Sequence, residues 1–329
     1  VSQDVKAYFE ELVIPLVAER HPEVIPEMII QVDGSAGLGF YDEWSDLDSF
    51  IFLPRDLWQE YGGQLQLTLV HSLPGYSSRS VPHCECPGDP FSWPVWGHPE
   101  INVHPWSELL HGQAKDVLDG KAGVPWEEVA IEELFGLQEY LVLRDPRGVL
   151  TRLKVATAAR RYPEYLWRKR LIEELAALKG EPWDLEKAAV RRRTLEAEMI
   201  LGPMLSGLFH IGFLVSRQYY PWRKYLLPYF RGLPGAIRDA VPAFEVVGSD
   251  ADWPSKSAAI ARIMRIFTEQ LLETRILTAD MLEYLLDAKG GKAWANPDWR
   301  SASDAGRIKA EAAGYDRLDG WIWNWWGWE

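Results

Sequence analysis

Val32-Asp33-Gly34-Ser35-Ala36-Gly37-Leu38-Gly39-Phe40-Tyr41-Asp42-Glu43-Trp44-Ser45-Asp46-Leu47-Asp48-Ser49-Phe50-Ile51-Phe52-Leu53 is the stretch whose pattern decides the fold. At its end, Leu47, Phe50, Ile51, Phe52 and Leu53 make an apolar run of strand length that Pro54 closes. Upstream, Met28-Ile29-Ile30-Gln31-Val32 is a second such run, which empties into Gly34-Ser35 with Gly37 and Gly39 close behind. The expectation is a strand, a flexible turn and a buried strand.

Asp46 and Asp48 stand two apart at the start of the second strand, so both carboxylates face the same side of a sheet. Like charges on one face repel, and a divalent cation between them removes that repulsion; Mg2+ takes oxygen ligands from one or two carboxylates together with substrate phosphates. Gly34 lets the backbone approach closely, and Ser35 adds a hydroxyl where an anionic tail would lie. The plainer alternative is that Ser45, Asp46 and Asp48 form a polar turn that caps the strand.

Gly-Ser, about ten residues, then Asp-x-Asp on a strand resembles the signature of the nucleotidyltransferase superfamily that includes DNA polymerase beta and the aminoglycoside adenylyltransferases. The fuller set, Gly34-Ser35 with Gly39, Asp42, Ser45, Asp46, Leu47 and Asp48, is similar to DUF4037-type nucleotidyltransferase-like proteins. The resemblance implies an α+β chain, with a nucleotidyltransferase-fold mixed sheet domain over 1–152 and an all-helical bundle over 153–329. It also implies Asp46 and Asp48 as catalytic metal ligands. Gly34, Ser35 and Ser45 would lie on the nucleotide, and Mg2+ and ATP would be cofactor and substrate.

Composition narrows the class. A chain of 329 residues is long for one core, which favours two domains. A net charge of −13 argues against broad contact with a nucleic-acid backbone, which needs a basic footprint. Cys84 and Cys86 are one residue apart, a poor spacing for a bridge, and so point to a reducing, cytoplasmic compartment. No apolar run reads as long enough to span a bilayer, and the N-terminus lacks a signal-peptide layout.

Residues 4 to about 20 carry apolar side chains at helical spacing, and Asp56 to about Gly62 reads as a short helix. Gln64-Leu65-Gln66-Leu67-Thr68-Leu69-Val70 alternates as a strand does. His83, Cys84, Cys86 and His98 sit in a Pro-, Ser- and Gly-rich stretch. They offer soft zinc ligands without the usual CxxC spacing, and the plainer reading is a long loop. In Glu100-Ile101-Asn102-Val103-His104, Ile101 and Val103 face one way and the polar residues the other. The resemblance implies a third carboxylate from a later strand; the best-matching position holds Asn102, with Glu100 two residues earlier on the same face. Trp106 to Leu118 and Glu127 to Gln138 read as helices, and Tyr140 to Leu150 as a strand with an Asp-Pro turn.

From Leu153 onward the apolar spacing is helical, over 153–161, 165–179, 185–213, 258–274 and 279–288. Gln218-Tyr219-Tyr220-Pro221-Trp222-Arg223-Lys224 is similar to a DUF4037 pattern that follows a long helix. Arg223 and Lys224 could reach a triphosphate, and Tyr219 or Tyr220 could hold a base, against core packing for the tyrosines. By the same resemblance Glu196 or Glu198 is the candidate general base for an acceptor hydroxyl. Trp321, Trp323, Trp325, Trp326 and Trp328 crowd the tail; they read as docking on the bundle, with a homodimer contact or a stacking platform for the acceptor as alternatives.

The expected activity is Mg2+-dependent transfer of AMP from ATP to a hydroxyl of a small-molecule acceptor, aminoglycoside-like or other. The alternative is a catalytically silent nucleotide-binding or interaction module that keeps the fold. Transfer to a nucleic-acid end is disfavoured by the acidic balance.

Overall fold

The computed structural model describes residues 3–40, 45, 47–73, 99–178 and 181–274. Asp46, the His83/Cys84/Cys86/His98 stretch, the helix expected over 279–288 and the tryptophan-rich tail lie outside the described residues. The chain divides into two compact units, Val1–Arg161 and Tyr162–Glu329.

A mixed four-stranded sheet organises the first unit: β1 (Ile29–Val32), β2 (Leu47–Leu53), β3 (Pro99–Pro105) and β4 (Leu141–Arg144), in the order β3-β2-β1-β4. β2 runs antiparallel to β1 and parallel to β3, and β4 runs antiparallel to β1. Alternation along each strand assigns its two faces. Ile30, Val32, Leu47, Ile51, Leu53, Ile101 and Val103 pack into one core with Val5, Phe9, Val13 and Val17 of the N-terminal helical segment. That segment runs through Gln3–Ala7, a π-helical Tyr8–Val13 and Ile14–Arg20. The opposite face carries Gln31, Phe50, Phe52, Asn102 and His104, with Phe50 stacked on Phe52.

Residues 64–70 are helical, not extended: a helical run continues through Arg55–Leu57, Trp58–Gly62 and Gly63–Ser72. Leu65 and Leu69 are buried and Leu67 is 55% exposed. Spacing of two and spacing of four both satisfy Leu65 and Leu69; the exposed Leu67 is the residue that separates them. Helical geometry puts Gln66 at the outer edge of β3, where its Nε2 donates to Ile101 O at 2.9 Å and its Oε1 accepts from Val103 N at 2.9 Å. The amide thus acts as one residue of a further strand on an edge that needs covering. Gln66→Leu leaves both backbone groups without this partner and should cost about 1–2 kcal/mol. An unmoved urea midpoint would show that the edge does not need the clamp.

Trp106 to Leu118 is less helical than its spacing suggests: only Trp106–Glu108 and Ala114–Leu118 form turns of helix, separated by Leu110 and His111 at φ 54° and Gly112 at φ 82°. After β4, the Asp145-Pro146-Arg147-Gly148 turn starts a helix, Val149–Ala156, not a continued strand. Asp145 accepts from Val149 N at 2.7 Å and from Thr151 N at 2.9 Å, satisfying amides that a helix start leaves open. Lys154 and Thr157 tie this helix back to Gln138 and Tyr140, which holds it in the first unit; the contact boundary therefore falls at 161/162, with 152 inside the helix.

The second unit is helical among its described residues, with Glu164–Leu178, Glu181–Val190, Thr194–Val215 and Trp253–Glu273 as its longer elements. The segment expected over 185–213 is two helices, divided near Arg192, whose φ is 56°. Phe230, fully buried, meets Phe209, Phe213, Phe244 and Phe267 in one aromatic core. Thr194–Val215 is long and apolar enough to cross a membrane by length and composition, which corrects the expectation of no such run; half of its most apolar stretch is buried inside the fold.

Candidate functional site

The polar corner of the sheet is built by register. Asp33 N donates to Asp48 O at 2.8 Å, so β1 ends directly beside the start of β2. Gln31 pairs with Phe50 across the two strands and Val32 with Ser49, which makes Asp33 the cross-strand neighbour of Asp48. On the other side, Asp48 is in register with Glu100 and Phe50 with Asn102. Three carboxylate positions therefore lie in a row across β1, β2 and β3, all on the face away from the core.

Gly34 follows at φ 59°, a left-handed conformation that L side chains seldom adopt. A Cβ at this position would lie 2.9 Å from Asp48 Oδ2, so glycine is needed for space as well as for conformation. Gly34–Gly37 forms a short helical turn instead of an open loop, and Ser35 within it is buried, 8% exposed. Ser45 is half-buried, and Asp46 falls outside the described residues.

Asn102 and Glu100 differ in their neighbours. Glu100 sits beside Asp48, whereas Asn102 sits beside Phe50 and donates from Nδ2 to Glu100 Oε1 at 2.9 Å. Asn102 thus orients the glutamate, and the carboxylate nearest Asp48 on β3 is Glu100. Among the described residues no three His, Cys, Asp or Glu side chains form a group that could hold a metal ion.

Asp33 is the residue that sequence reasoning passed over. Burial pushes its carboxyl up to about 7; a hydrogen bond from Gln31 partly offsets this, and the neighbouring Asp48 charge adds to it. The signal was present, since Gln31 and Asp33 alternate on one face of β1, but only the register with β2 makes that face the one that carries Asp48.

The remaining candidates lie in the helical unit. Glu196 and Glu198 are exposed near the start of Thr194–Val215, two residues apart and so on different sides of the helix; Glu198 faces Lys256 at 3.8 Å. Arg223 and Lys224 are exposed on a short 3-10 turn, with Lys224 Nζ 5.1 Å from the centre of the Tyr225 ring. Tyr219 and Tyr220 are buried, the core-packing alternative. Tyr219 stacks on Trp167, and the Tyr220 ring lies 3.9 Å from that of His210, whose Nδ1 is 2.8 Å from Glu174 Oε1.

No curated protein matches the sequence. A solved structure described as a nucleotidyltransferase-like protein, from Exiguobacterium sibiricum 255-15, is similar at 12% identity over 85% of this chain and 80% of that one, with a TM-score of 0.35. Residues 126–226 match the model of DUF4037, a domain of unknown function. That match spans β4, the Asp145-Pro146 turn and the helices through Thr194–Val215, and leaves out the Gly34-Ser35 and Asp48 corner.

Proposed function

We propose that the chain is a Mg2+-dependent nucleotidyltransferase that moves AMP from ATP to a hydroxyl of a small-molecule acceptor. The observation that carries this reading is the approach of Asp48 Oδ2 to the backbone at Gly34, which unites the glycine turn and the carboxylate strand in one corner. Asp48, with Asp46 two residues before it and Glu100 in register beside it, is an oxygen-only donor set, which suits Mg2+. A cation held there would neutralise phosphate charge and stabilise the leaving pyrophosphate.

Gly34, Ser35 and Ser45 are the residues assigned to the nucleotide, with Arg223 and Lys224 as cations for the triphosphate. In the reaction the acceptor oxygen attacks the α-phosphorus and the bond from that phosphorus to the bridging oxygen of the β-phosphate breaks. Pyrophosphate leaves, and the hydroxyl proton passes to a base, for which Glu196 and Glu198 are the candidates. A cytoplasmic location and a homodimer complete the proposal.

The Asn102–Glu100 hydrogen bond favours the second reading, a silent nucleotide-binding module, because it engages one oxygen of the carboxylate that β3 places beside Asp48. Calorimetric titration of ATP with Mg2+ into the wild type and into Asp46→Asn/Asp48→Asn tests the two. Metal-dependent binding that the double variant loses is the expected result, followed by acceptor-dependent release of pyrophosphate. Metal-dependent binding with no transfer to any acceptor favours the silent module, and no binding, or binding indifferent to metal and mutation, overturns the catalytic reading.

A further inference from the structure

We infer that Asp33, at the end of β1, is a ligand of the divalent cation, which it would approach from the side of Asp48 opposite to Glu100. The inference rests on the nucleotidyltransferase reading only for the cation's role, since the donors themselves are a property of the sheet corner. Asp33 is the cross-strand neighbour of Asp48, with its amide 2.8 Å from Asp48 O, and alternation turns both side chains to the same face. Two carboxylates in that arrangement repel once both are ionised, and a divalent cation between them removes that repulsion.

The second observation is Gln31. It lies two residues before Asp33 on the same face and is 94% buried by its 6% exposure. Its Nε2 donates to Asp33 Oδ1 at 2.7 Å, which brings the amide to the carboxylate. The other half of that amide, Oε1, is buried and has no hydrogen-bond partner among the described residues. A buried carbonyl oxygen left open beside a carboxylate calls for an electropositive partner. A hard divalent cation accepts both carboxylate and amide oxygens, and a surrounding of oxygen donors alone is what Mg2+ and Mn2+ take. Gly34, by lacking a Cβ, leaves the space in which Asp48 Oδ2 stands.

Mn2+ alone, without nucleotide, is the probe. Free Mn2+ is counted by its paramagnetic resonance signal during titration into the wild type, Asp33→Asn, Asp48→Asn and Gln31→Leu, each verified as folded by its thermal transition. Water-proton relaxation reports how many waters remain on the bound ion. Asp33→Asn, which keeps an amide oxygen but loses the charge, should weaken Mn2+ binding at least 10-fold, and Asp33→Ala, titrated alongside, should also raise the number of bound waters by one, a signature that loss of a merely structural contact would not give. Gln31→Leu should weaken it by a smaller factor.

Equal affinity in Asp33→Asn and wild type overturns the inference, as does a wild type that takes up no Mn2+ at millimolar concentration. If Asp33→Asn is silent while Asp48→Asn loses both Mn2+ and ATP, Asp33 is no ligand and the nucleotidyl-transfer reading stands. If Mn2+ binding depends on Asp33 but ATP never binds, the ligand assignment stands and the transfer reading falls.

Discussion

Asp33→Asn should make the metal-free protein more stable at pH 8, by about 2–4 kcal/mol, while leaving its stability at pH 4 unchanged relative to the wild type. The folded-state carboxyl of Asp33 sits at about 7, against an ordinary aspartate value of about 4. The sign follows from proton counting. Between those two values the folded chain holds a proton that the unfolded chain has released, so stability falls as pH rises through this window and levels off above it. Below about pH 4 both states are protonated and the group contributes nothing.

Asparagine keeps the shape and the acceptor for Gln31 Nε2 but carries no charge to desolvate. It therefore removes the pH-dependent loss without opening a cavity. Urea unfolding of both proteins in the presence of a chelator, at several pH values from 4 to 8, reads the difference directly; parallel curves would show that Asp33 is not strained by its surroundings. With Mn2+ added at pH 8, the wild type should recover stability and Asp33→Asn should not, because a cation relieves the repulsion from Asp48 that the variant never had.

Asp33 also marks where sequence reading reaches its limit. Gly34, Asp48 and the face of Glu100 were legible from short-range pattern alone: glycine at a turn, a carboxylate on an apolar strand, strict alternation after Pro99. What pattern could not supply was register. Whether Glu100 or Asn102 neighbours Asp48, and whether Asp33 faces it at all, depends on how strands far apart in sequence align, and a slip of one residue reverses every face. The same limit explains residues 64–70, where leucines at alternate positions fit a strand and a helix equally until the packing partner is known.

The two helices within 185–213 depended on a backbone feature with no sequence signal of its own, the left-handed Arg192. A run of three arginines gives no reason to place a break there, since arginine is a good helix former. By contrast, the Asp145-Pro146-Arg147-Gly148 turn was visible as a turn but not as a helix start. Its cap is made by the Asp145 side chain reaching forward to Val149 and Thr151, and a preceding apolar run invited the extension of β4 instead.

Gly37→Ala should unfold the first unit, with a loss of at least about 3 kcal/mol, the range in which single changes become exceptional. A Cβ on Gly37 would fall 1.9 Å from Val32 O and 2.6 Å from Val32 C, both backbone atoms. A side chain can rotate away from such an overlap; a carbonyl in the middle of a sheet cannot. Val32 is fully buried and is in register with Ser49 on one side and Leu141 on the other. Relief would require moving the end of β1, and with it the Asp33–Asp48 corner, or lifting the Gly34–Gly37 turn off the strand. Either movement separates Gly34 from Asp48, so any residual folded protein should also lose Mn2+ binding. Gly63→Ala is the matched control: it lies within the Arg55–Ser72 helical run at φ −67° and ψ −39°, and nothing stands within 4 Å of its Cβ position. There alanine should add about 0.5–1 kcal/mol by the ordinary helical preference over glycine. Opposite shifts of the urea midpoint in the two variants are the expected result; a Gly37→Ala protein within about 1 kcal/mol of wild type would mean that the turn does not press on β1 as closely as this geometry requires.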